Sequence, residues 1–148
     1  MTELPRVNFE EIDVGEEQLM FWKGQAFTGI AVEFFPDGTL RSEEYHLNGL
    51  RHGPSREWYR SGQRKEEMTL WYGGLHGYKR EWNEQGRLIS EVLGELGIGI
   101  AEKRWDEQGR LIMDWHIGPK DSLYEILLIK RKKWGQSAPP LPEANLLP

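Results

Sequence analysis

The chain of 148 residues contains no cysteine, no long apolar run and no basic-then-apolar leader at its start. Without cysteine it can form neither disulfides nor thiolate metal sites, although this leaves the redox compartment open. No apolar run approaches the roughly 20 residues that a membrane-spanning helix needs, and a leader would begin with basic residues. We therefore expect a soluble, cytoplasmic protein with no cofactor.

The acidic residues are concentrated near the start of the chain. The net charge is −5, but residues 1–45 contain ten acids and three bases, so they carry −7 and the rest of the chain carries +2. The densest basic stretch is "KRKK" at Lys130–Lys133. Backbone phosphates would meet mostly carboxylates, so we expect no nucleic acid partner and favour a basic protein partner. A solvated acidic surface that only aids solubility is the competing interpretation.

Glycine and aromatic residues recur together along the chain. The loop glycines lie at intervals of 24, 24 and 23 residues, and an aromatic residue precedes each of them by four. Acids follow the glycines by five positions. The glycines are Gly38, Gly62, Gly86 and Gly109; the aromatics are Phe34, Trp58, Trp82 and Trp105; the acids are Glu43, Glu67, Glu91 and Asp114.

This period predicts β-hairpins rather than helix pairs, which need 33 or more residues per repeat. Glycine supplies the positive φ that closes a three-residue hairpin loop. Centring each hairpin on the residue before glycine puts the aromatic column on one mostly apolar, core-facing side. The predicted pairs are Phe34–Leu40, Trp58–Arg64, Trp82–Leu88 and Trp105–Leu111 on that side, and Glu33–Arg41 and Glu57–Lys65 on the other.

The predicted fold is mainly β: an antiparallel meander of repeated hairpins with a period of about 24 residues, followed by one C-terminal helix. We divide the chain into a single domain, 1–134, with an acidic lead-in at 1–18, hairpin repeats at 19–117 and a capping helix at 121–134. Ser122 and Glu125 fit a capping box for this helix, although a final strand is the competing interpretation. Residues 135–148 are rich in proline and predict a disordered tail.

Two segments carry a resemblance to a known family. "NGLRHGPSREWYRSGQ" (Asn48–Gln63) and "GGLHGYKREWNEQGRL" (Gly73–Leu88) resemble MORN repeats, and more closely the variant in bacterial proteins called YwqK-type antitoxins. The resemblance covers about residues 19–117. It implies hairpins laid in a row and a role in protein contact, and it transfers no catalytic motif.

No pattern in the sequence predicts a catalytic or metal site. His52 and His76 occupy the same repeat position, so they should lie on strands about 10 Å apart, too far to share one metal. We interpret both as structural turn residues. A carboxylate column with a copy in every repeat is typical of a solvated face, and we expect that the protein is not an enzyme.

The candidate partner-binding residues are exposed aromatics and the acids around them. Trp71 and Tyr72 are consecutive, so one of them must point away from the core unless a turn intervenes, and Tyr59 faces opposite to Trp58. Exposed tyrosine and tryptophan rimmed by acids are typical of a protein-binding patch. The predicted set is Glu33, Glu57, Tyr59, Glu67, Trp71, Tyr72, Glu81 and Glu91.

These observations lead to a non-catalytic binding module, and the resemblance implies an antitoxin or immunity protein that occludes a basic bacterial toxin with an acidic, aromatic-bearing sheet. The alternative is a MORN-type scaffold that associates with membrane lipid or other proteins, for which "IKRKKW" offers bases beside an aromatic. Four bases next to an acidic sheet would be a weak anchor, so membrane association is disfavoured. We expect a monomer or a weak homodimer formed through the open sheet edges.

Overall fold

The computed structural model describes residues 3–142. Within this range the chain forms twelve β-strands, two 3-10 helices (Phe9–Glu11 and Glu16–Gln18) and one α-helix, α1 (Tyr124–Trp134). The strands are β1 (Arg6–Asn8), β2 (Asp13–Val14), β3 (Met20–Trp22), β4 (Gln25–Ala26), β5 (Gly29–Phe34), β6 (Leu40–Leu47), β7 (Leu50–Trp58), β8 (Arg64–Trp71), β9 (Gly74–Trp82), β10 (Leu88–Glu95), β11 (Ile98–Trp105) and β12 (Leu111–His116).

Nine of these strands form one sheet in the order β1-β5-β6-β7-β8-β9-β10-β11-β12. From β5 onward each strand pairs antiparallel with the next, so the predicted hairpin meander is confirmed. The lead-in has more structure than the sequence indicated, because β1 pairs in parallel with β5. Strands β2, β3 and β4 form a separate three-stranded sheet.

The three-residue loops all join the strands at the same end of the sheet, which we call the loop end. The predicted hairpin geometry is present there: the N–H of Tyr59 donates to the carbonyl of Gln63 (2.8 Å) and that of Gly62 to the carbonyl of Tyr59 (2.9 Å). Gly62 has a φ of +90°, as the loop requires. All four predicted aromatic pairs are confirmed: Phe34–Leu40, Trp58–Arg64, Trp82–Leu88 and Trp105–Leu111.

Just beyond the loops the register shifts by one residue. Glu57 lies opposite Glu66 rather than Lys65, because Lys65 is the extra residue of a β-bulge. Its Nζ still donates to Glu57 Oε1 (2.8 Å), and Arg41 lies 3.8 Å from Glu33 in the same arrangement. The predicted ion pairs therefore form, but from bulged positions.

Two-residue turns join the strands at the opposite end of the sheet, which we call the turn end. In each turn both residues have positive φ, as in Tyr72 (+44°) and Gly73 (+85°), which defines a type I′ hairpin. The second residue is always glycine, for which this conformation is free of strain. The turns are Asn48-Gly49, Tyr72-Gly73 and Leu96-Gly97, and Lys23-Gly24 forms the same kind of turn in the separate three-stranded sheet.

Each turn of the nine-stranded sheet is held by a side chain from the preceding repeat. The N–H of Tyr72 donates to His52 Nδ1 (2.9 Å), and the N–H of Leu96 donates to His76 Nδ1 (3.0 Å). The two histidines are therefore structural turn residues, as predicted. Three equivalent contacts repeat every 24 residues: Thr28–Asn48, His52–Tyr72 and His76–Leu96.

The expectation that the aromatic column forms the core is wrong. Phe34 is 49% exposed, and the tryptophans of the column are only half-buried. No second layer covers the hairpins at the loop end in the described part of the chain, so the rings stay partly in solvent. The buried apolar side chains lie instead beside β1 and β5 and around the last turn: Val7, Ile12, Phe27, Ile30, Ala31, Val32, Leu70, Leu96, Ile98 and Leu127.

Helix α1 forms as predicted, but without the predicted cap. Its N-cap is Leu123, which makes no side-chain hydrogen bond, so the Ser122–Glu125 capping box is wrong. The carbonyl of Asp121 accepts from the N–H of Tyr124 (3.1 Å) instead. Arg131 donates to Glu95 and Lys130 to the carbonyl of Leu96 (2.9 Å), so the helix is fastened to the end of β10 and the turn after it.

Candidate protein-binding site

One face of the sheet, which we call the ladder face, carries a row of alternating charges. Residues directly opposite each other on neighbouring strands share a face. Along this row acid and base alternate from β6 to β12: Glu43, Arg56, Glu67, Arg80, Glu91, Lys103 and Asp114. The arginine of each "REW", Arg56 or Arg80, therefore lies between two acids of the predicted column.

The ladder arginines neutralise the acids beside them. Arg56 Nη1 lies 3.1 Å from Glu43 and its Nε 3.6 Å from Glu67. Arg80 Nε lies 3.0 Å from Glu91, whose side chain is 4% exposed. Glu67 and Glu91, both predicted to contact a partner, are thus held in ion pairs.

The other three predicted acids lie on the opposite face. Glu57, Glu81 and Glu33 belong to the neighbouring row of the sheet. Glu57 pairs with Lys65 (2.8 Å), and this hydrogen bond raises the pKa of the Lys65 amine. Glu81 lies 3.9 Å from Lys79. The structure therefore does not gather the predicted acids on one surface.

The acidic excess lies outside the repeats. Residues 1–18 contain six acids and one base, which leaves 18 acids and 18 bases in the remaining 130 residues. The hairpin sheet is therefore close to electroneutral, and the expected acidic sheet surface is replaced by an acidic segment at the edge. In that segment Glu10, Glu11, Asp13, Glu16 and Glu17 are all exposed.

A cleft of about 630 Å³ at the turn end brings together aromatic side chains from distant parts of the sequence. Trp71 and Tyr72 come from the end of β8 and its turn, and Trp134 is the last residue of α1. Tyr72 is 54% exposed and Trp134 44%. The turn intervenes after Trp71, as one of the predicted alternatives required, and it directs the Tyr72 ring against Trp71 (5.0 Å between centroids).

Tyr59, also predicted as a contact residue, lies at the loop end. Its hydroxyl donates to the carbonyl of Trp82 in the next hairpin (2.8 Å), and its ring is half-buried. Arg64, which pairs with Trp58, places its guanidinium 5.7 Å from the ring centroid of Trp82. The loop-end aromatics therefore join neighbouring hairpins.

The sequence reasoning did not predict that Trp134 and the residues of β12 are exposed. Strand β12 is the last strand of the sheet, and every one of its residues is exposed. Its apolar members are Leu111, Ile112, Met113 and Trp115. The repeat pattern could have indicated this edge, since the fourth copy is the last one and the edge of an open sheet carries unpaired backbone groups.

The described residues offer no metal site. Within residues 3–142 no group of three or more histidines, aspartates or glutamates is arranged to hold an ion. The same residues contain no helix that is long and apolar enough to cross a membrane.

Two segments, residues 27–48 and 51–72, match the family model described as the MORN repeat variant. The two segments are therefore similar to MORN repeats, and together they cover less than half of the chain. Each matched segment ends at the first residue of a two-residue turn, Asn48 or Tyr72. Among curated proteins none matches the chain in sequence.

Two solved structures show a weaker likeness. A mutant TarM of S. aureus, in complex with fondaparinux, alpha-GlcNAc-glycerol and UDP, is 13% identical with a TM-score of 0.39, covering 60% of this chain and 18% of that one. A second TarM structure is 14% identical with a TM-score of 0.38, covering 72% and 20%. This chain therefore spans about a fifth of the length of either protein.

Proposed function

We propose that the protein is a non-catalytic binding module that neutralises a cognate toxin, with the aromatic cleft as its main contact. The MORN repeats support a binding or scaffold role. The cleft supports a protein partner, because exposed tryptophan and tyrosine supply large contact areas at low cost in conformational entropy. The antitoxin role follows from the resemblance to YwqK-type proteins.

The observation that carries this proposal is the exposure of Tyr72 and Trp134 beside the firmly held turn end. Tyr72 sits in a strained turn conformation (φ +44°), and its N–H is fixed by His52. Trp134 ends a helix fastened to the sheet by Arg131 and Glu95. Both rings are therefore presented on rigid elements, which lowers the entropy lost when a partner binds.

The acidic segment, residues 1–18 at the edge of the sheet formed by β1, supports a basic partner. A basic protein would be attracted to residues 1–18, and long-range attraction of this kind raises the association rate in a salt-dependent way. We therefore propose that the toxin is basic and that the acids act on its approach more than on the final affinity.

The experiment is a capture from source cells with the purified chain as bait, followed by co-expression of the captured protein in a growth assay. We expect capture of a protein that arrests growth alone and is tolerated together with this chain. Tyr72→Ala and Trp134→Ala should abolish both capture and rescue, while Phe34→Ala, an equally exposed aromatic at the loop end, should leave both intact. Rescue that persists in the two cleft variants would contradict the proposal.

The lipid-binding scaffold is the second candidate, favoured only by Trp134 beside the bases of α1. Lys130 and Arg131 already bind the Leu96 carbonyl and Glu95. This leaves a smaller basic patch than the sequence suggested. Recovery of the chain with anionic vesicles in a flotation assay, lost in Trp134→Ala, would favour this candidate over the toxin partner.

A further inference from the structure

The proline-rich tail after α1 lies against the ladder face. The carbonyl of Pro139 is 2.7 Å from His76 Nε2. Because His76 Nδ1 already accepts from the N–H of Leu96 (3.0 Å), the proton of the neutral ring must be on Nε2, which donates to Pro139. His76 is buried, and this pair of contacts uses both of its nitrogens.

The tail covers a groove in the ladder face. Pro139, Pro140 and Pro142 share a cavity of about 440 Å³ with Tyr78 and with Pro54 of β7. The cavity therefore lies between the tail and the sheet, and the tail forms part of its wall.

The floor of this groove is rigid and partly aromatic. The Arg80 guanidinium lies 4.6 Å from the centroid of the Tyr78 ring, and its Nε binds the buried Glu91. Burial, with the Glu91 charge nearby, raises the pKa of the Tyr78 hydroxyl, so this ring stays neutral. A neutral ring held by a buried ion pair is a preformed apolar surface.

The tail has the conformation that such a groove suits. Each proline fixes its own φ and favours an extended residue before it, so residues 139–142 favour an extended conformation. They belong to no helix or strand. Extended proline-rich peptides bind to grooves that combine an aromatic face with a donor for a peptide carbonyl, the roles that Tyr78 and His76 can fill here.

We propose that this groove, formed by Pro54, His76, Tyr78 and Arg80, is a binding site for extended proline-rich peptides, and that the chain's own tail occupies it. The groove shares no lining residue with the aromatic cleft, although the His76 ring lies 6.2 Å from the ring of Trp71, and it does not require the partner to be a toxin. A ligand in trans would compete with the tail, whose effective concentration is on the order of millimolar because it is covalently attached.

His52 provides a matched control for His76. It holds the turn of the previous repeat through the same Nδ1 contact, while its ring packs on Tyr72 (4.5 Å between centroids) rather than on the tail. An asparagine at either position can place its Oδ1 near the histidine Nδ1 and accept the turn N–H, but it cannot reach the tail. His76→Asn therefore removes the tail contact, whereas His52→Asn does not.

The first measurement is the heteronuclear ¹⁵N NOE of Ala138 and Leu141 in the full chain. We expect values similar to those of the sheet in the unmodified chain and in His52→Asn, and values typical of a mobile segment in His76→Asn. Tail residues that are as mobile in the unmodified chain as in His76→Asn would contradict the proposal.

The second measurement is calorimetric titration with a synthetic peptide of residues 136–143. The receptor is the full chain with Pro139, Pro140 and Pro142 replaced by alanine, so that the attached tail no longer competes. We expect saturable binding at least about tenfold tighter than to the unmodified chain, given the effective concentration of the tail. Adding His76→Asn should abolish binding, and adding His52→Asn should not.

Absence of saturable binding to the folded triple variant would overturn the proposal, as would equal binding by its His76→Asn and His52→Asn forms. If the triple variant does not fold, the unmodified chain is titrated with excess peptide. The Leu141 NOE must then fall as the tail is displaced, and an unchanged value would overturn the proposal. Neither outcome depends on the aromatic cleft, so the toxin-binding proposal stands or falls separately.

Discussion

The two ends of the hairpins are built from the same repeat but differ in what surrounds them. At the loop end, a Cβ added to Gly62 would find no atom within 4 Å. At the turn end, a Cβ on Gly94 would lie 2.4 Å from Leu75 Cγ, and one on Gly74 would lie 2.9 Å from Gly97 Cα. The loop end is therefore more open, and its contacts join neighbouring hairpins, whereas the turn end also contacts the helix, the histidines and the tail.

This difference shows where the chain departs from a plain repeat. The loops need only a glycine with positive φ, which every hairpin supplies. The turns carry residues that differ from repeat to repeat, as Tyr72 and Leu96 do at equivalent positions. Specific recognition is therefore expected at the turn end.

The largest expected difference between the two ends is in the free energy of unfolding lost when a leucine is replaced by alanine. Leu127 of α1 is 0% exposed, and Leu127→Ala should lower the free energy of unfolding by about 2–5 kcal/mol, because it removes a buried side chain and leaves a cavity. Leu111→Ala at the loop end, where Leu111 is 51% exposed, should cost less than about 0.5 kcal/mol. Urea unfolding measures both, and equal losses would contradict the contrast.

The next largest difference in stability between the two ends should come from replacing glycine by alanine. Gly94→Ala forces a methyl group into Leu75 and should cost about 1–3 kcal/mol as overpacking. Gly62→Ala meets no neighbour but adopts a φ of +90°, so it should cost about 1–2 kcal/mol of backbone strain. Repeating both in chains with Leu75→Ala should relieve only the first, as followed by thermal unfolding.

A smaller, pH-dependent difference should come from His46 near the first turn. Burial lowers the pKa of His46 below its ordinary value of 6.5, so the unfolded chain takes up this proton before the folded chain does. Stability should therefore fall as the pH drops below about 6.5, and it should be fully present above that value. His46→Gln should reduce this slope, as measured by urea unfolding at a series of pH values, and a slope that His46→Gln leaves unchanged would contradict the prediction.

The loop end was predictable from the sequence because its determinants are local. The spacing between Trp58 and Gly62 fixed the loop length, and the pairing with Arg64 followed from parity. The bulge at Lys65 was missed, since neither ring nor charge pattern indicates an extra residue. The expected core was wrong because periodicity shows which side chains share a face and not whether anything covers that face.

The turn end could not be predicted in the same way, because its contacts join distant segments. The 24-residue interval between His52 and His76 was visible, but the backbone groups that they hold become evident only once the turns are placed. Contacts from Trp134 to the cleft and from Pro139 to His76 span more than 60 residues. No local sequence pattern indicates these contacts. The Ser122–Glu125 motif predicted a helix cap that the structure does not contain.

Partners are expected to bind at the turn end, which is tested by measuring the affinity of the captured partner for three purified forms of the chain. By calorimetry, Tyr72→Ala should weaken binding by about 30-fold or more, as expected for a buried aromatic contact worth at least about 2 kcal/mol. Phe34→Ala at the loop end should bind like the unmodified chain. Unchanged binding by Tyr72→Ala, or a loss in Phe34→Ala as large as that in Tyr72→Ala, would contradict this prediction.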